Sequence, residues 1–210
     1  MGFKHRDPDL TKQRLIDAAV RLVLRQGFAA TSVEAICTGA GLTKGSFFHH
    51  FENKESIGLE VIRWWSAMGA AEYARAWTDG KGTALQQLHA MLDIMEGFTL
   101  RPDQPCVCAI GMMAQEMATT HPVIRKSCAQ ELEVWTSHVE RLLDIAKGQE
   151  RVESSFDSSE VAWFLNSLWQ GSMLIGKTRE DQPMIRRNLQ LARRFIDGLF
   201  RGKKRINRSK

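Results

Sequence analysis

Thr43-Lys44-Gly45-Ser46 sets two hydroxyls, one ammonium and a residue without a Cβ in four consecutive positions. A lysine can reach a phosphate or a guanine edge, hydroxyls bond phosphates or bases, and glycine lets the backbone come close. Thr31 and Ser32 stand at an expected helix start, where free N–H groups suit a phosphate. Lys54 opens a further helix and offers another cation. A second chemistry sits at Cys106-Val107-Cys108. Cys106 follows Pro105 at an expected helix start, where unpaired N–H groups favour a thiolate.

The elements that hold the first set can be read from the same stretch. Thr31-Ser32-Val33-Glu34 has the Ser/Thr-x-x-Glu form of a capping box. Val33 and Ile36 give the short helix a buried side, Gly39-Ala40-Gly41 stops it, and Leu42 is expected to be a buried plug. Thr43 caps a second helix on which Phe47 and Phe51, four apart, share one side. Two short helices joined by a glycine turn describe a helix-turn-helix, here about residues 32–51, whose second helix enters the DNA major groove.

The rest of the chain reads as helices. Asp7-Pro8 looks like an N-cap with proline at the first helical position, and Ile16, Ala19, Val20, Val23 and Leu24 repeat as one apolar face until Gly27. Asn53 caps a fourth helix from Lys54 to about Trp77. Breaks at residues 78–82 and at Arg101-Pro102-Asp103-Gln104-Pro105 flank a fifth helix through Leu85, Leu88, Leu92 and Met95. Cys106–Ala118 is expected to be a short buried helix, and His121-Pro122 opens a long one through Ile124, Cys128, Leu132, Trp135, Val139 and Leu142. A polar loop is expected over Gly148–Asp157. Ser158 or Ser159 then caps the next helix, and Ile185, Leu189, Ala192 and Ile196 mark the last, to about Phe200. No alternating run is long enough for a strand.

Composition narrows the function. With 43% apolar residues in 210, the chain can bury a core, and no apolar run approaches a membrane span. The N-terminus lacks a secretory stretch, so the cytoplasm is the expected compartment. Four cysteines (Cys37, Cys106, Cys108, Cys128) do not make a disulfide framework and are expected to be thiols. Cys-x-Cys has no Cys/His partner pair at metal-binding spacing, so no metal and no cofactor are expected. The net charge of +5 is uneven: residues 202–210 form a basic tail, read as disordered, which could also neutralise phosphates.

The stretch Thr31–Lys54 resembles the DNA-binding domain of TetR-type transcriptional regulators. Gly27-Phe28, Thr31-Ser32-Val33, Ile36, Ala40-Gly41-Leu42, Thr43-Lys44-Gly45-Ser46-Phe47, His49-His50-Phe51 and Asn53-Lys54-Glu55 carry the likeness. It implies an all-α TetR-type fold of about nine helices: a head over residues 9–69 and a ligand-binding and dimerisation core over 70–201. It also places His49 and His50 at the DNA surface. Where the family usually has a tyrosine whose hydroxyl reaches a phosphate, this chain has Phe48, which can only pack against the sugar backbone. The resemblance implies a homodimer on a palindromic operator in double-stranded DNA, its two heads about 34–36 Å apart or a multiple of that. The last two helices would form the dimer surface, with Leu165, Leu168, Trp169, Leu189, Ile196 and Leu199 as candidates.

The expected core holds an unknown small-molecule effector. Met91, Met95, Met112, Met113, Met117, Trp135, Phe164 and Trp169 could line an adaptable apolar pocket, or simply fill an ordinary core. The later sequence also looks like a TetR subgroup in which a cysteine near this point precedes Gln-Glu-Met-type sequence (Gln115-Glu116-Met117) and a lysine follows a Gln-Gly segment (Gln170-Gly171, then Lys177). Some members of that subgroup sense electrophiles or oxidants, which would make Cys106 or Cys108 a sensor beside Lys177. The leading reading is a non-enzymatic repressor released by an effector or by cysteine modification. Two others stand beside it: a helical thiol enzyme using Cys106 or Cys108, and an architectural DNA binder that answers to no ligand.

Overall fold

The computed structural model describes residues 8–77, 82–101, 106–150 and 156–201. Among these the chain forms nine α-helices and no strand: α1 (Pro8–Gln26), α2 (Val33–Ala40), α3 (Lys44–His50), α4 (Lys54–Trp77), α5 (Ala84–Phe98), α6 (Ala109–Met117), α7 (Pro122–Glu150), α8 (Ser158–Thr178) and α9 (Gln182–Phe200). The all-α expectation holds. Asp7, the second proline break and the basic tail lie outside the described residues.

The chain divides into two compact units. One takes the described residues up to Ala70 together with Val107–Leu132; the other takes Ala71–Cys106 and the residues from Glu133 onward. Two of the three unit boundaries fall inside α4 and α7, so both helices contribute to each unit; the third lies between Cys106 and Val107, ahead of α6.

The first unit is organised by an apolar cluster. Leu15, Val23, Ile36, Phe47, Ile57, Val61 and Ile62 are almost fully buried, and Met113, Met117, Ile124 and Cys128 from α6 and α7 join them. Each buried side chain of this size stabilises the fold by roughly 1.5–3 kcal/mol. Gly27 (φ 85°) ends α1, with its N–H bonded to Val23 O at 2.9 Å. Gly41 (φ 64°) ends α2: its own N–H bonds Thr38 O and the Leu42 N–H bonds Cys37 O, the paired closure that needs a left-handed residue. Leu42 is half-buried against the cluster, less deep than the expected plug.

In the second unit α5, α8, α9 and the unit's parts of α4 and α7 enclose Leu88, Met91, Met95, Val139, Leu143, Leu165, Met173, Leu189 and Ile196. One buried polar pair crosses this interior and two part-buried pairs flank it. Asn166 Nδ2 donates to Thr136 Oγ1 at 2.8 Å, Ser158 Oγ to Asp144 Oδ1 at 2.6 Å, and Asn188 Nδ2 to Ser172 Oγ at 2.9 Å.

Several helix ends differ from the sequence expectation. Ser32, not Thr31, caps α2: its Oγ accepts the Ala35 N–H, so Glu34 falls one position short of the reciprocal bond. A capping box does form at Thr83 and Gln86. Cys106 lies ahead of α6, whose cap is Cys108. Helix α7 runs through Gly148, where a loop was expected. Asp157 caps α8 by accepting from Ser159 and Glu160 N–H, which leaves Ser158 to reach Asp144. Asp157 takes both backbone donors on one carboxylate oxygen, at 2.7 and 3.0 Å.

Candidate nucleic-acid interface and effector site

Helices α2 and α3 turn apolar residues inward and donors outward. Phe47 is fully buried and Phe51 nearly so, their rings 5.4 Å apart. On the other side of α3, Lys44, Gly45, Phe48 and His49 are exposed and Ser46 and His50 half-exposed. Thr43 caps the helix, its Oγ1 accepting the Ser46 N–H at 3.2 Å. Phe48 is 57% exposed and meets Phe47 edge-on at 5.2 Å, an apolar face on the outside of the recognition helix. Burial and the neighbouring His49 lower the His50 pKa, so its neutral form is favoured.

Two of the expected contacts are placed differently. Thr31 is fully buried and its Oγ1 donates to Gly27 O at 2.7 Å, so its hydroxyl is spent inside the unit; Ser32 is the exposed hydroxyl there. Lys54 donates to Ala29 O at 3.1 Å and its Nζ lies 4.5 Å from the Phe28 ring centre. Burial lowers its pKa, and the nearby Glu116 opposes that shift. Lys54 therefore braces the turn between α1 and α2.

The structure gives three residues contacts that sequence reasoning missed. Glu34 pairs with Lys44 at 3.3 Å, linking α2 to the exposed start of α3. Arg14 Nη2 donates to Ala40 O at 2.6 Å, closing the end of α2 from α1. Glu116 of α6 accepts the Ala29 N–H at 2.7 Å, 87 residues away in sequence. Each pair joins different elements, so no local spacing could announce it.

The expected pocket residues separate. Met113 and Met117 belong to the apolar cluster of the first unit, and half-buried Met112 shares their helix. Cys108 packs against that cluster too, and buried Cys128 has its thiol pushed up to about 11, chiefly by burial. Met91, Met95 and Trp169 are buried in the second unit. Phe164 is 47% exposed and packs on Phe195 at 5.1 Å, so it lines an outer face and no enclosed pocket.

Cys106 and Lys177, far apart in sequence, border one cavity of 420 Å³ in the second unit, with Gly176, Glu180, Gln182, Pro183 and Ile185. Glu180 holds a left-handed φ of 53° on its wall, where glycine is the usual occupant.

The expected dimer residues also need correction. Leu165, Trp169, Leu189 and Ile196 are buried within the subunit. The exposed apolar residues of α8 and α9 are instead Trp163, Phe164, Leu174, Ile175, Leu191 and Phe195. Four of the six residues read from sequence thus lie on the inner stripes, while Leu168 and Leu199 are half-buried.

No described helix is long and apolar enough to cross a membrane. Comparison with known proteins agrees with the fold and with the head. Residues 15–61 match the family described as bacterial regulatory proteins, tetR family, and residues 84–192 match the Tetracyclin repressor-like, C-terminal domain. The transcriptional regulator AcuR of Cereibacter sphaeroides is 27% identical over 171 residues, 81% of this chain and 78% of AcuR. The HTH-type transcriptional repressor DhaR of Mycobacterium sp. (strain GP1) is 24% identical over 82% of this chain and 86% of its own. Among solved structures, a TetR transcriptional regulator from Chloroflexus aurantiacus superposes with a TM-score of 0.82 at 21% identity, covering 91% of this chain and 96% of that one. With both halves of its length matched in order, the chain belongs to the TetR family of bacterial transcriptional regulators.

Proposed function

We propose that this regulator is a homodimeric repressor that leaves a palindromic operator when a small molecule binds its second unit or modifies Cys106. The observation that carries the reading is the two-sidedness of α3: Phe47 is fully buried beneath it, while Lys44, Phe48 and His49 are exposed. That arrangement leaves the outward residues accessible to phosphates and base edges. Ser32 and Ser46 add hydroxyls, Gly45 a close backbone approach, and Phe48 an apolar contact to a sugar or a thymine methyl. The exposed apolar face of α8 and α9, from Trp163 to Phe195, supports a second copy as its cover. The repressor name of the relative DhaR favours repression over activation.

The cavity bordered by Cys106 and Lys177 supports the effector part of the reading. The population of DNA-competent dimer would then fall by the effector's differential affinity for the two conformations.

A mobility shift on the DNA flanking the regulator's own gene tests this. The wild type should bind salt-sensitively as a dimer, Lys44→Ala should bind much more weakly, and Phe195→Glu should give monomers without operator affinity. Treatment with a maleimide should release the wild type but not Cys106→Ser. A monomeric wild type with no duplex affinity would refute the proposal.

A further inference from the structure

Two indole N–H groups of the second unit, Trp77 Nε1 and Trp135 Nε1, are buried and have no hydrogen-bond partner among the described residues. A buried donor left without an acceptor is destabilising, and native proteins seldom leave one unexplained. These two belong to a single ring cluster. Tyr73 lies nearly parallel to Trp77 at 4.8 Å and edge-on to Trp135 at 6.4 Å. His138 stacks on the other indole, Trp77, at 4.7 Å. Helices α4 and α7 thus bring together ring faces and two unspent donors.

The cluster's chemistry selects its guest. Ring faces favour a flat ring, and indole edges ask for an acceptor. A cationic amine would set donors against donors, and a plain hydrocarbon would leave both N–H groups unsatisfied. At the margin, Arg101 lies 4.8 Å from the Phe98 ring centre and pairs with Glu72 at 2.7 Å, so those two charges offset and oxygen acceptors, rather than net charge, are what the site lacks. We infer that this cluster, which shares no residue with the wall of the Cys106–Lys177 cavity, is an effector site of the regulator and that its ligand class is a flat ring compound carrying oxygen acceptors, a carboxylate or a carbonyl. The inference rests on the reading of the chain as an effector-responsive regulator.

The test uses the purified full-length protein and four probes: benzoate, acetophenone, toluene and benzylamine. Benzoate or acetophenone should quench tryptophan fluorescence saturably and raise the melting temperature. Toluene and benzylamine should bind at least about tenfold more weakly, the discrimination a single lost hydrogen bond produces. Whichever of benzoate and acetophenone binds tighter tells the acid from the ketone. Trp77→Phe and Trp135→Phe keep a ring and delete the N–H, so each should weaken the acceptor-bearing probe about tenfold and leave toluene unchanged, which also reports that the cluster still folds. Equal binding of all four probes, no binding at millimolar concentration, or indifference to both substitutions would overturn the assignment. So would a structure showing a buried water on each indole N–H with the probe elsewhere. The outcome is separable from the repressor reading, because operator binding by the wild type and its loss in Lys44→Ala are measured without any probe.

Discussion

The two units handle polar groups in opposite ways. The first packs an apolar cluster around Phe47 and Ile36 and sends Lys44, Ser32 and His49 outward. The second carries a buried polar pair, Asn166 with Thr136, flanked by part-buried Asn188 with Ser172, and leaves two indole donors unpaired. A surface that meets phosphates must hold one shape, and a dry core fixes it. On the proposed reading, the second unit's interior keeps polar groups available for a small molecule.

Substitutions can break or sharpen that contrast. Phe47→Ala empties the centre of the first unit and should cost about 3–5 kcal/mol in urea unfolding, with operator binding lost as the head loosens. Asn166→Ala removes a buried donor from the second unit and should cost roughly 1–3 kcal/mol, while the affinity of the folded protein for operator DNA stays near wild type. Lys44→Ala should do the reverse. Stability should stay within about 0.5 kcal/mol. Operator affinity, read by fluorescence anisotropy, should fall by roughly 1–3 kcal/mol. Glu34→Gln should have the smallest effect. It frees Lys44 from an exposed pair worth about 0.2–1 kcal/mol, so binding to unrelated duplex should tighten by no more than about fivefold, and only at low salt. If Asn166→Ala damaged DNA binding as much as Lys44→Ala, the division between the units would fail.

The first unit was legible in the sequence to an unusual degree. Its turn, caps and buried phenylalanines lie within 24 residues, so local spacing reports them directly: Gly41, Thr43 and Asn53 stand where expected. What escaped there was long-range. Thr31 was read as an outward hydroxyl because its burial depends on the bond to Gly27 O, and the pairs Arg14–Ala40 and Glu116–Ala29 join elements distant in the chain. In the second unit the helices were legible but their facing was not. On α8, apolar residues lie on two stripes, and nothing local tells Leu165, which is buried, from Phe164, which is exposed. Methionine spacing likewise could not reveal that Met113 and Met117 serve the first unit while Met91 and Met95 serve the second.

The grip of Glu116 on the Ala29 N–H bears on how this protein could be dissected. Phe28, Ile36 and Ile62 share their apolar cluster with Met113, Met117 and Ile124, which follow fifty-one or more residues after Ile62. A fragment cut after Ala70, the obvious choice for a minimal DNA reader, would therefore be missing part of its own lining. It should aggregate or melt early, whereas a version that keeps the stretch from Val107 to Leu132, spliced back by a linker, should survive as an independent piece.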